Sequence, residues 1–245
     1  MKRLMFAIIL LVSGLVSAET PSGESILRKV DANIGSDNKI VVSQMTIEGR
    51  RGTRTVKSKS WIQGREKSFT EYTAPAREKG TKMLKLDDQL WTYSPSTDRI
   101  IKISGHMLRQ SVMGSDLSYE DMMEDPRLQN LYAAEIVGED TLLERPCWVL
   151  ELTAKKEDVA YHSRKIRVDK ERFVVLKEDR HAKSGKILKV TEVLEVIKVQ
   201  NRWIPKSVVF KDVLKAGNGT RFVIESIEFD ANIPEHVFSK ASLRK

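Results

Sequence analysis

The stretch Thr81-Lys-Met-Leu-Lys-Leu-Asp-Asp-Gln-Leu-Trp-Thr-Tyr-Ser-Pro-Ser-Thr-Asp-Arg-Ile-Ile-Lys-Ile103 reads as three strands and two tight turns. The runs 81–86, 89–93 and 99–103 favour extended backbone, while Asp87-Asp88 and Ser94-Pro95-Ser96 supply turn chemistry between them. Connections this short can join only antiparallel neighbours, because parallel pairing needs a crossover of a dozen or more residues.

The same pattern extends in both directions. Upstream, 39–48, 53–63 and 67–73 are strand candidates, with a glycine-bearing turn at 49–52. Downstream come 132–137, 147–154, 161–168, 173–181, 186–199, 203–214 and 220–229, with turns at Ser184-Gly185 and Gly217-Asn218-Gly219. Within 147–154, Trp148, Leu150, Leu152 and Ala154 share one face while Glu151 and Thr153 share the other, as burial of one side requires. One amphipathic helix precedes the strands. Ile26, Val30 and Ile34 recur at helical spacing beside Leu27, Ser22 or Ser25 can cap the start, and Gly35 ends it. The sequence contains no repeat and no linker, so a single domain is expected.

One segment breaks the meander. Residues 104–131 hold Met107, Leu108, Val112, Met113, Leu117, Met122, Met123 and Leu128, the densest methionine cluster in the chain. Short apolar helices are expected here, with a turn at Gly114-Ser115-Asp116. Ser118 and Asp121 suit a capping box; Ser115 or Asp116 could also cap that helix, and Asp125-Pro126 could begin a further turn. A sheet of about a dozen strands tends to curl, and helices lying inside the curl would act as a plug or lid.

The amino terminus carries the pattern of a secretory signal peptide. Lys2 and Arg3 precede an apolar run at 4–16, and Val16-Ser17-Ala18 offers small residues for cleavage after Ala18. That run is shorter than the roughly 20 residues of a spanning helix. The expected organisation is a signal peptide at 1–18 and one domain at 19–245, exported to the periplasm. The single cysteine, Cys147, excludes an internal disulfide and is expected to be a buried thiol. With 42 Lys+Arg against 34 Asp+Glu the chain is basic, which suits phospholipid headgroups better than nucleic acid in an exported protein.

Several motifs resemble the LolA-like outer-membrane lipoprotein-sorting family. They are the run from Tyr72-Thr-Ala-Pro through Trp91-Thr-Tyr-Ser-Pro-Ser, then Arg99-Ile-Ile-Lys-Ile-Ser-Gly, Met113-Gly-Ser-Asp-Leu-Ser-Tyr-Glu-Asp-Met, Trp203-Ile-Pro-Lys and Ile233-Pro-Glu-His-Val-Phe. The resemblance implies a mainly β fold with some α, a curved antiparallel sheet forming an incomplete barrel whose concave face is covered by short helices. It also implies a carrier or chaperone that shelters acyl chains of a lipoprotein or lipid, possible service to an inner-membrane transporter, transient membrane contact, and a monomer. A periplasmic sensor or adaptor regulating a membrane partner is the second reading, and a lipid esterase the third.

Candidate cavity and lid residues are Trp61, Met83, Trp91, Met107, Leu108, Val112, Met113, Met122 and Met123. Trp61, flanked by lysines on its face, fits either a cavity rim or the edge of the core. Glu120, Asp121, Glu124 and Asp125 form an acidic cluster that is either a solvated face or, through Glu120, Asp121 and Glu124, a contact for a basic partner. No catalytic residue, metal site, cofactor or nucleic-acid partner is expected. Gly114-Ser115-Asp116 only superficially resembles an esterase block, and the four histidines are scattered singly.

Overall fold

The computed structural model describes residues 21–49 and 52–245, so the expected signal peptide at 1–18 lies outside the described residues. The amino-terminal half of the sheet comprises β1 (Asn38–Gly49), β2 (Gly52–Gln63), β3 (Lys67–Ala74), β4 (Lys82–Leu86), β5 (Gln89–Ser94) and β6 (Arg99–Ile103). The carboxy-terminal half comprises β7 (Tyr132–Leu142), β8 (Arg145–Ala154), β9 (Ser163–Asp169) and β10 (Val175–His181), followed by β11 (Ile187–Val199), β12 (Arg202–Asp212) and β13 (Thr220–Phe229). All form one antiparallel sheet in the order β6-β5-β4-β3-β2-β1-β13-β12-β11-β10-β9-β8-β7. Two meanders are thus joined by the β1–β13 pair, and the sheet does not close on itself.

This order explains the insert. β6 and β7 are consecutive in sequence yet form the two opposite edges, so the connection 104–131 must cross a face of the sheet. It does so as 3-10 turns at Gly105–Arg109 and Val112–Gly114, then helices α2 (Tyr119–Met123) and α3 (Leu128–Leu131). The first helix, α1 (Gly23–Ile34), lies near both β7 and β12. In a flat sheet five strand spacings of about 4.8 Å would separate those strands by roughly 24 Å. The sheet therefore curls around α1.

Direct cross-strand partners share a face. Leu150, Ile166, Glu178, Thr191 and Phe210 lie on one continuous face, which continues through Phe222, Met45 and Val56. This inner face receives α1 over Tyr132, Leu150, Leu152 and Ile166, and the insert over Met45, Val56, Tyr72 and Met83. Gly23 allows the close fit of α1, since a Cβ there would run into the Ala134 carbonyl of β7. The outer face of β2–β5 is covered separately: Phe238 and Leu243, from 3-10 turns at Glu235–Phe238 and Lys240–Leu243, pack on Phe69, Leu84 and Trp91.

Local expectations fare unevenly. Ser22 caps α1 by accepting the Ser25 N–H at 3.2 Å, but Ile34 is exposed and Asp31 takes a buried place. Asp31 accepts the N–H groups of Leu128 and Gln129 at 3.1 and 3.0 Å, so α3 is capped from α1 rather than by Asp125-Pro126. Ser118 and Asp121 do form a capping box, whereas Ser115 and Asp116 do not cap α2. Asp116 instead accepts from the Asp212 N–H at 3.0 Å and the Thr220 hydroxyl at 2.8 Å, pinning the insert to β12 and β13. β7 runs on from 137 to Leu142, past a bulge near Gly138.

Candidate functional site

Beneath α2, on the inner face, lies a pocket of about 250 Å³ lined by Leu117, Asp121, Met122, Arg180, Phe210 and Phe222. Phe210 and Phe222 sit on neighbouring strands and meet edge to face, with ring centroids 6.3 Å apart. With Leu117 and Met122 above them, they make one end apolar. Asp121 and Arg180 make the other end polar.

That polar end continues into a buried ionic network tying α2 to β9–β11. Arg164, 2% exposed, donates to Glu178 at 2.7 Å and to Glu124. Its guanidinium also lies over the Tyr132 ring, 4.6 Å from the centroid. Arg180 donates to Glu178 at 2.9 Å and to Asp121 at 3.2 Å. Asp121 further accepts from Lys189 and, at 2.6 Å, from the Tyr161 hydroxyl. Burial alone would raise the Asp121 carboxyl, but the Lys189 charge and these hydrogen bonds hold it down at about 2. Burial likewise works against ionised Glu178, and Arg180 and Arg164 outweigh it, holding that group at about 2. Both carboxylates are charged at neutral pH.

The acidic cluster therefore does not form a common solvated face. Asp121 and Glu124 point inward and are satisfied internally, and Asp125 pairs with Arg65 at 3.1 Å. Glu120 alone of the three candidate partner contacts has no ion pair among the described residues. The expectation of a partner contact is corrected for Asp121 and Glu124 because the strands beneath them carry the basic partners.

The candidate cavity residues divide into three groups. Met83 and Val112 are buried, and Met107, Leu108, Met113 and Met123 half-buried, in the core between insert and inner face. Met122 is 39% exposed and lines the pocket. Trp61 and Trp91 occupy the outer face with Phe69, so they are separated from the others by the thickness of the sheet. The core-edge reading of Trp61 is the one the structure has. Sequence reasoning missed Phe210 and Phe222 as pocket lining, and Arg164, Glu178, Arg180 and Lys189 as a buried network. Phe210 and Phe222 were legible as bulky residues on strand faces; the charged residues were not, because each sits in an ordinary strand alternation.

Ser115 is fully buried, and its hydroxyl accepts the Leu117 N–H at 3.1 Å, with no histidine among its partners. Cys147 is also buried; burial pushes its thiol pKa up. Among the described residues no helix is long and apolar enough to cross a membrane.

The profile of a family described only as an uncharacterized protein matches residues 64–245. The chain belongs to that family. No curated protein matches the sequence. Among solved structures it is similar to a domain described as an outer membrane lipoprotein-sorting protein from Vibrio parahaemolyticus, with TM-score 0.78 and 19% identity over 91% of this chain and 98% of that one. It is similar to a DUF1329 family protein from Desulfovibrio piger, with TM-score 0.80 and 23% identity over 90% and 97%. A LolA superfamily protein from Nitrosomonas europaea matches with TM-score 0.75 and 22% identity over 91% and 100%. The LolA-like fold expected from the motifs is the fold of this chain.

Proposed function

We propose that this LolA-like protein is a periplasmic carrier or chaperone that shelters an acyl chain of a lipid or lipoprotein between the insert and the inner face of the sheet. One observation carries the reading: an apolar pocket lies under a segment attached to the two open edges of the sheet. Each buried methylene contributes about 0.8 kcal/mol, so a C16 chain offers on the order of 10 kcal/mol before binding costs. The pocket, about 250 Å³, is smaller than the ~300–1,000 Å³ usual for ligand sites, so a full chain requires the insert to lift. Methionines suit that movement, since flexible thioethers repack against varied shapes.

Two adjoining hairpin tips support transient contact with a membrane. The tips of the β10–β11 and β12–β13 hairpins adjoin, with the Val213 N–H donating to the Leu188 carbonyl at 3.0 Å. They expose Ile187, Val213 and Leu214, the last at 65%, among Lys186, Lys211 and Lys215. Apolar tips ringed by lysine fit transient contact with an anionic bilayer. Lys215 also donates to the Ser115 carbonyl at 2.7 Å, so this tip is bonded to the insert.

Native mass spectrometry of protein isolated from periplasm tests the proposal. Species carrying an additional amphiphile mass, released by organic extraction, are expected. Protein free of lipid that also fails to bind a fluorescent fatty acid would overturn it.

A further inference from the structure

The polar end of the pocket holds more positive charge than its own strands neutralise. β9, β10 and β11 bring Arg164, Arg180 and Lys189 together on the inner face, and among the described residues Glu178 is the one strand carboxylate bonded to this group. The remaining compensation comes from the insert: Asp121 accepts from Lys189 and Arg180, and Glu124 from Arg164. The Nε groups of Arg164 and Arg180 are buried without a hydrogen-bond partner among the described residues, so the site has donor capacity left over.

We infer that this cluster is the headgroup end of the ligand site, built for a phosphate-bearing amphiphile, and that Asp121 and Glu124 stand in for the ligand's anion while the insert is closed. The inference rests on the acyl-chain reading of the pocket and names its substrate class. When α2 lifts, its two carboxylates leave with it. Arg164, Arg180, Lys189 and the Tyr161 hydroxyl remain on or beside the strands, facing Glu178 alone. A phosphate monoester carries about −1.5 to −2 charges at neutral pH, which matches the uncompensated excess. Guanidinium forks suit phosphate oxygens in particular. Because Arg180 and Asp121 line the same pocket as Phe210 and Phe222, headgroup and chain would occupy contiguous positions. The ligand's anion and the insert's carboxylates compete for the same cations, so loading and lid opening are coupled.

Titration calorimetry with dodecyl phosphate, dodecyl maltoside and inorganic phosphate, the amphiphiles kept below their micelle concentrations, tests this on the parent protein and on Asp121→Asn/Glu124→Gln. Dodecyl phosphate should bind at least tenfold more tightly than the maltoside, and the double substitution should widen that ratio by about tenfold more. Lys189→Gln should narrow the ratio; with the parent ratio, it carries the test if the double variant does not fold. Equal affinity for the two amphiphiles in parent and variants overturns the headgroup assignment and leaves the acyl-chain reading standing. If neither amphiphile binds, both readings are overturned. Inorganic phosphate binding as tightly as dodecyl phosphate would assign the cluster to a free anion and overturn the amphiphile.

Discussion

Arg164 joins the strands to the insert through one guanidinium, with Glu178 on its own sheet and Glu124 on the segment above. It is also among the largest fully buried side chains of the protein, enclosed by Tyr132 and Tyr161. Removing one member of a buried ion pair leaves its partners charged and dry, at a cost of about 3–5 kcal/mol. Arg164→Met keeps the apolar bulk and removes the charge, so urea unfolding should show a loss of that size. A loss below about 1 kcal/mol, the range of an exposed pair, would mean that the network is solvated. Such a residue is hard to find in sequence. In Ser163-Arg-Lys-Ile-Arg-Val168, Arg164, Lys165 and Arg167 look alike, yet only Arg164 faces the covered side beneath α2. The discriminating fact is the cover, which is supplied from some 40 positions away.

The insert is the element whose placement follows from topology. Its methionine-rich composition marks 104–131 as a break in the strands, and the edge positions of β6 and β7 require it to cross the sheet. Its fastening could not be read locally, because Asp116, Asp121 and Glu124 are held by residues of β9 to β13. The turns between strands, by contrast, are local chemistry, and all the expected strands are present with shifted ends. The carboxy-terminal cover of the outer face was not anticipated, and it explains why Trp91 is buried there with Trp61 packed at the edge of the same cluster. The fastening is sensitive to acid. Asp121, which bonds α2 to β10 and β11, is held at about 2 in the folded protein, below the roughly 3.9 of a free aspartate carboxylate. A depressed pKa stabilises the folded protein fully above the unfolded value, and that stabilisation, which includes the bonds of α2 to the strands, is lost as pH falls from about 4 towards 2. Amide exchange in α2 should therefore be constant above pH 5, after correction for intrinsic rates, and lose protection between pH 4 and 2. Protection unchanged across that interval would separate the Asp121 carboxylate from the fastening of the insert.

At the scale of the molecule, curl, crossing insert and pocket are consequences of one arrangement: a long antiparallel sheet whose edges are left open and bridged by its own connection. The curl brings α1 near both β7 and β12, and the same curvature lets α2 reach Arg180 and Lys189 while Met107, Leu108, Val112 and Met113 pack on β1–β6 and α3 packs beside α1. The insert joins the sheet at its two edge strands, so the lifting proposed above need not break a strand pair. A fatty acid carrying a diazirine at its terminal carbon tests most directly whether this space receives an acyl chain. After irradiation and proteolysis, the adducts should map to Leu117, Met122, Phe210 and Phe222, and excess unlabelled lipid should suppress them. Adducts confined to the outer face around Trp61 and Trp91, or no light-dependent adduct at all, would contradict a chain bound beneath the insert.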